Sequence, residues 1–257
     1  MSVLDPLSHA LGGVLAAAHT GLVALGLDPS AGPAWVLSIT AVVLVVRLAL
    51  LPLTVHGVRT AHAAARARPQ LRALADRYRD RRDSDSLRRY AEERRAVARE
   101  HRLSPWGCLP VLAQLPVWFA LYHLLSDLAA GTPVGPVTPA LVASLGAATL
   151  LGVPLAAQGF AHGWPLAVAA ALLSYLTQRL FVLPNTLVEG HLERVQHLLP
   201  TVSAAGLLLA AGFVPVALLV YWVVSGAWTL GQSAVVCRWF PTPGTPAAAR
   251  RSAGSGG

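Results

Sequence analysis

The sequence is poor in charge and in reactive side chains. It contains no lysine, one methionine and two cysteines, and only 12% of its 257 residues are charged. A soluble domain carries about twice that charged fraction, so a soluble domain and a disordered chain both fit poorly. Cys108 and Cys237 lie in apolar sequence, which argues against a disulfide framework. With 54% hydrophobic residues, the composition instead predicts a multipass membrane protein.

The signatures of common enzyme classes are also missing. There is no His-Glu-x-x-His, no phosphate-binding loop, no Gly-x-Ser-x-Gly and no Cys-x-x-Cys. The nine histidines are scattered, and His191 and His197 do not share a helical face at metal-ligand spacing. The sequence therefore predicts a protein that is not an enzyme, with no catalytic residue, no metal site and no cofactor.

Five apolar stretches approach the ~20 residues that a helix needs to cross a bilayer. They cover residues 35–53, 106–128, 164–183, 198–211 and 216–237. The fourth is short, so the bilayer around it would have to be thin. Residues 137–160 are apolar too, but prolines and glycines interrupt them. We predict an all-α polytopic membrane protein with five transmembrane helices.

The arginines predict the orientation of these spans. With the N-terminus outside, the segments that face the cytoplasm are 54–105, 184–197 and 238–257. They hold 14, 1 and 3 arginines, and the outside segments hold none. A sixth span at 137–160 would move four of these arginines outside, against the positive-inside rule. We therefore expect five spans, an extracytoplasmic N-terminus and a cytoplasmic C-terminus.

The remaining segments complete the predicted organisation. Residues 1–33 are expected to form an extracytoplasmic interfacial segment, residues 34–240 the five-span core, and residues 241–257 a disordered cytoplasmic tail. Residues 54–105, with 14 arginines and seven acids, predict a cytoplasmic helical hairpin inserted between spans one and two. Apolar residues at helical spacing would join its two helices. These are Leu71, Leu74, Tyr78, Leu87 and Val97.

Arg47 is the most informative single residue. It lies 12 residues after Trp35 and six before Leu53, or about 18 Å and about 9 Å along a helix. One interpretation is an arginine that snorkels to the inner headgroups. The other is a charge that faces a hydrated cavity between helices. Thr40, Arg47 and Thr54 are seven residues apart, and this shared polar face favours the cavity.

A polar stripe along one face of the last span supports the same interpretation. Its members are spaced three and four residues apart, although hydrogen bonding between helices would also explain them. Further polar residues lie in spans two and three, and no acid lies deep in any span to pair with the arginine. This pattern favours a wet groove that binds something transiently over a proton relay. The candidate groove residues are Arg47, Thr40, Gln114, Ser174, Gln178, Trp222, Ser225, Thr229 and Gln232.

Three ordered stretches resemble the YidC-type membrane protein insertases of the YidC/Oxa/Alb family, in a short, Gram-positive-like form. The first is 35–53, which contains Arg47 and ends in Leu51-Pro52-Leu53. The second is 104–116, from Ser104-Pro105 through Gly107-Cys108-Leu109-Pro110 to Gln114-Leu115-Pro116. The third is 213–225, from Phe213-Val214-Pro215 through Tyr221-Trp222 to Ser225. Residues 129–163 match the family poorly, and Ala217 stands where the family usually has glycine.

This resemblance implies a function and a set of partners. It implies an insertase that moves hydrophobic segments of newly made proteins into the bacterial cell membrane and helps them fold, without ATP. The implied partners are nascent membrane proteins and the lipid bilayer, with the Sec translocon and the ribosome as further candidates. DNA is not expected as a partner, and the protein is expected to act as a monomer. The alternative is a transporter or channel subunit, which usually shows an internal repeat that this chain lacks.

Overall fold

The computed structural model describes residues 5–81, 83–103, 109–187 and 191–254. Most residues in these ranges are helical. One short β-hairpin has two strands of two residues each, β1 (Thr149–Leu150) and β2 (Val153–Pro154). The α-helices are α1 (Asp5–Ala24), α2 (Gly32–Ala49), α3 (Leu51–Arg77), α4 (Ser84–Glu100), α5 (Leu109–Ala129), α6 (Pro139–Ala147), α7 (Phe160–Thr177), α8 (His191–Ala210), α9 (Val216–Trp239) and α10 (Pro246–Gly254). The predicted all-α class is confirmed.

Five helical segments in the described ranges are long and apolar enough to cross a membrane. They are Asp5–Ala24, Gly32–Ala49, Phe160–Asn185, Val195–Phe213 and Val216–Trp239. Four of them coincide with predicted spans. The set differs from the prediction because it includes α1 and, within the described residues, does not include α5. The predicted start of this span at Trp106 lies outside the described residues, so the second span stays a prediction.

Helix α1 crosses one end of the bundle instead of running its length. Near its start, His9 lies against Gly135, in the loop that follows α5; a Cβ on Gly135 would lie 2.7 Å from the His9 ring. Near its other end, the His19 ring lies 4.4 Å from that of Trp35, at the start of α2. Since α2 begins and α5 ends at this face, both ends of α1 contact the same end of the bundle.

The first half of α9 forms the centre of the core. Every residue from Val216 to Tyr221 is buried, packed with α2, α5 and α7. Residues 129–163, which the sequence pattern leaves without a span, close this end of the core through α6 and the β-hairpin. The amides of Val216 and Ala217 donate to the carbonyls of Ala157 and Leu155, each at 2.9 Å. These bonds satisfy amides that the first turn of a helix otherwise leaves unpaired.

Helices α3 and α4 form the predicted helical hairpin. The helix is interrupted at Leu50: α2 ends at Ala49, and α3 begins at Leu51. Leu74 is buried, but Leu87 is 56% exposed, so its predicted place in the contact between the helices is wrong. Polar and aromatic contacts hold the tip instead: the Tyr78 hydroxyl donates to Glu93 at 2.8 Å, which raises the pKa of Tyr78, and its ring contacts that of Tyr90.

The sequence predicts a disordered tail at residues 241–257, but the structure shows that more than half of these residues form a helix. Pro246–Gly254 is helical, the backbone amide of Thr242 donates to Asn185 Oδ1 at 2.7 Å, and Ala247 is buried. The local sequence explains the helix, because Thr245 caps it and Pro246 opens it ahead of three alanines. Composition alone, rich in Pro, Ala, Gly and Ser, does not contain this start signal, which depends on the order of the residues.

Gly32 tests how tightly the β-hairpin is fitted to the core. A Cβ at Gly32 would lie 2.0 Å from the carbonyl oxygen of Thr149, a backbone atom that cannot rotate away. We expect Gly32→Ala to destabilise the protein by about 1–3 kcal/mol, measured as lower thermal stability in detergent. The matched control is Gly21→Ala in α1, where nothing lies within 4 Å of the added carbon. Equal stability of the two variants would contradict this packing.

Candidate functional site

Arg47 faces α9 and not the end of the bundle. The Arg47 side chain leaves the last turn of α2, and its Nη2 donates to Ser225 Oγ at 2.6 Å and to Thr229 Oγ1 at 2.9 Å. The Thr229 hydroxyl donates in turn to the Ser225 carbonyl at 2.8 Å. Arg47 therefore adopts the interhelical position that the cavity interpretation predicted, and α9 provides both acceptors from positions four residues apart.

The partners of Arg47 are neutral. Among the residues that the structure describes, the recorded contacts pair this guanidinium with hydroxyl and carbonyl oxygens and with no carboxylate. A guanidinium carries five N–H donors, and the bonds to α9 use only one of its nitrogens. A buried charge is costly unless its donors are satisfied, so the remaining donors require water or a transient partner.

Space for such a partner lies on both sides of this contact. The first cavity, which we call the Arg47 cavity, measures about 680 Å³ and is bounded by α2, α3, α5, α9 and the segment after α7. The second, the Trp222 cavity, measures about 520 Å³ and is bounded by α5, α7, α8 and α9. Trp118 and Val182 line both cavities.

Eight of the nine predicted groove residues line one of these two cavities. Arg47, Gln114 and Gln232 line the Arg47 cavity. The Trp222 cavity is lined by Ser174, Gln178, Trp222, Ser225 and Thr229. Thr40 lines neither cavity, and its hydroxyl donates to the Val36 carbonyl of its own helix at 2.7 Å. Thr54, which shares the polar face predicted for Arg47, does line the Arg47 cavity.

The polar-residue pattern missed the aromatic and irregular parts of the site. Trp118 lies between the two cavities, but an indole in an apolar helix gives no distinguishing signal. Residues Gln178–Val182 form a π-helical turn, which places Phe181 and Val182 at the Arg47 cavity. Such turns are frequent at functional sites. The sequence signal for a change of helix geometry here is Pro184, which starts the short 3₁₀ turn Leu183–Asn185.

The side chains that line the cavities are suited to binding through hydrogen bonds, charge and apolar contact. Their polar groups are a guanidinium, hydroxyls and carboxamides, and their walls are apolar and aromatic. Within the described part of the chain, no group of three or more His, Cys, Asp or Glu residues is arranged to hold a metal ion. Such a surface suits transient contact with a polar or acidic segment that lies next to an apolar one, because it offers donors and apolar contact side by side.

Comparisons with known proteins point to one family. The sequence model described as "60Kd inner membrane protein" matches residues 26–243, which include every residue that lines the two cavities. The chain is 32% identical over 238 residues to "Membrane protein insertase YidC" of Streptomyces avermitilis, covering 85% of this chain and 54% of that protein. It is 28% identical over 272 residues to the protein of the same name from Tropheryma whipplei, covering 95% and 86%. The chain thus spans about half the length of the Streptomyces relative.

Water access to the cavities is directly testable. In a background without Cys108 and Cys237, we expect Thr229→Cys to react with a membrane-impermeant thiol reagent, because Thr229 lines the Trp222 cavity. Leu218→Cys on the same helix is the control, since Leu218 is fully buried and should stay unreactive. A folded Thr229→Cys variant that reacts no faster than Leu218→Cys would show that the cavity is dry.

Proposed function

The chain belongs to the 60Kd inner membrane protein family, and on that premise we propose that it is a membrane protein insertase. The family and the apolar helices make it a multi-pass bacterial membrane protein. Its proposed substrates are hydrophobic segments of newly made proteins, which pass from the cytoplasm into the bilayer. The single observation that carries this proposal is Arg47, held by two hydroxyls of α9 between two cavities.

In the proposed mechanism, the polar and the apolar parts of a substrate use different surfaces. A polar segment that must cross the membrane would rest at Arg47, where donors and water replace bulk solvent. Its apolar stretch would meet lipid along α8, whose Val202 and Leu209 are 65% and 74% exposed. Burial of ~20 apolar residues in lipid provides the driving force. No covalent step is needed, so we propose that the protein is not an enzyme.

The proposed orientation places the N-terminus outside and the C-terminus in the cytoplasm. The distribution of 18 arginines on one side and none on the other supports it. So does the placement of α1 across one end of the bundle, which is consistent with an interfacial segment. The hairpin lies near the opposite end, where His62 Nε2 is 3.0 Å from the Phe240 carbonyl at the end of α9.

We further propose a role for the α3–α4 hairpin in substrate delivery. Its 14 arginines against seven acids suit a surface that meets polyanions such as ribosomal RNA. The ribosome is therefore a candidate partner. We also propose the Sec translocon as a partner and a monomer as the active form. The hairpin has its own capped helix, since Asp83 accepts from the Ser86 amide at 2.8 Å, a bond that lowers the pKa of Asp83.

Substitutions at Arg47 test the proposed function. In vesicles that contain the purified protein, we expect Arg47→Ala to lower insertion of a small single-span protein with an acidic outer segment by at least about tenfold, the equivalent of one charge-assisted hydrogen bond. Arg47→Lys should retain most activity, because it keeps the charge. The control is Arg88→Ala on the exposed face of α4, which should insert normally. Normal insertion by Arg47→Ala would contradict the proposed role.

A further inference from the structure

A third cavity adjoins the Arg47 cavity at Phe181 and lies at the end of α9 where α10 folds back. It measures about 550 Å³, and three arginines line it: Arg238 from the last turn of α9, and Arg250 and Arg251 from α10. We call it the α10 cavity. Neither Arg47 nor any of the predicted groove residues lines it. Its role therefore does not depend on the function proposed above.

Specific contacts of the tail bring these arginines together. Arg251 Nη1 donates to the Trp239 carbonyl at the end of α9, and Ala247 is buried beside the cavity. Upstream, the Thr242 amide donates to Asn185 Oδ1. These contacts hold Arg250 and Arg251 at the cavity that Arg238 lines. A flexible tail would not keep the three arginines together.

Among the residues that the structure describes, the three arginines of this cavity share its lining with no acid. The sequence has no acid from 238 to 257. The bonds of Arg250 and Arg251 go to the carbonyl oxygens of Pro246 and Trp239. Three guanidinium groups around one cavity repel each other, so an anion that binds there gains attraction from all three.

The walls between the arginines are apolar and lie at the end of membrane-spanning helices. Leu180 and Phe181 of the π-helical turn and Trp239 of α9 line the cavity. Trp239 and the adjacent Phe240 are 53% and 58% exposed. Exposed aromatic residues at the end of an apolar helix are typical of the membrane–water interface. The cavity thus offers cationic donors beside hydrocarbon at the depth of the lipid headgroups.

From this combination we propose that the α10 cavity binds an anionic glycerophospholipid. Its phosphate would accept hydrogen bonds from Arg238, Arg250 and Arg251, since guanidinium groups match phosphate oxygens in geometry. The glyceride and the start of the acyl chains would lie against Leu180 and Phe181. Basic pockets at helix ends are a general means of binding such headgroups. An RNA strand would provide phosphates too, and its bases can stack on aromatic rings, but a lipid covers both Leu180 and the aromatic rings and is already present at the end of membrane-spanning helices.

The test uses the quenching of tryptophan fluorescence by brominated lipids in vesicles that contain the full-length protein. At equal mole fraction, brominated phosphatidylglycerol should quench more strongly than brominated phosphatidylcholine, and Trp239→Phe should remove most of this excess. We expect a preference of about fivefold per arginine engaged. The triple variant Arg238→Gln/Arg250→Gln/Arg251→Gln should lose the preference. The matched control removes three exposed hairpin arginines, Arg79, Arg88 and Arg89, in the same way and should keep it.

Each remaining outcome contradicts the proposal. Equal quenching by the two lipids in the wild-type protein, or an excess that survives in the triple variant with native helix content, would show that no lipid site exists here. Displacement of the lipid by millimolar inorganic phosphate would identify a site for free phosphate. Arginine-dependent binding of an RNA oligonucleotide in vesicles of phosphatidylcholine alone, without a preference for phosphatidylglycerol, would identify a nucleic-acid site instead.

Discussion

The Arg47 guanidinium binds two hydroxyls of α9, and the surrounding helices must therefore leave room for water or polar groups next to this charge. The partners are neutral, at 2.6 and 2.9 Å, so they orient the charge without cancelling it. A permanent cation between apolar helices is stable only where water or polar groups can reach it. The two adjoining cavities meet this requirement. A carboxylate at position 225 or 229 would neutralise Arg47 and would remove the need for either cavity.

Helix α9 serves two purposes along its length. Its first turns, from Val216 to Tyr221, are buried and form the centre of the core. From Trp222 onward the same helix presents polar groups to the cavities, as Ser225 and Thr229 do. A rigid buried half thus positions the half that binds, which a loop would do less precisely. The end of α9 then provides Arg238 to a third cavity with different chemistry.

The sequence is most informative where a charge or a polar residue interrupts an apolar pattern. Arg47, Ser225 and Thr229 stand out because hydroxyls and guanidinium groups are costly in a membrane, and the structure brings them together. Thr40 satisfies the same pattern but lines neither cavity, which spacing alone does not reveal. Trp118 went unnoticed because an aromatic residue in an apolar helix is unremarkable by composition, although it borders both cavities.

The other differences between prediction and structure have physical causes as well. Hydropathy alone cannot tell a helix that crosses the bundle end from one that spans it, so α1 qualifies as a span by composition even though both its ends meet one face. The low complexity of the tail predicts disorder, whereas Thr245 and Pro246 form the start of a helix. Leu87 follows the helical spacing of the hairpin, but the contact that forms nearby is polar, between Tyr78 and Glu93.

The central claim is that the charge of Arg47 attracts an acidic polar segment of the substrate, and a charge reversal tests it most directly. Insertion should be measured for wild type and Arg47→Glu with two forms of one single-span protein, whose outer segment carries either acidic or basic residues. The account predicts that Arg47→Glu fails with the acidic form and recovers with the basic form. If Arg47→Glu inserts both forms equally well or equally poorly, electrostatic attraction at this position is not how the protein works.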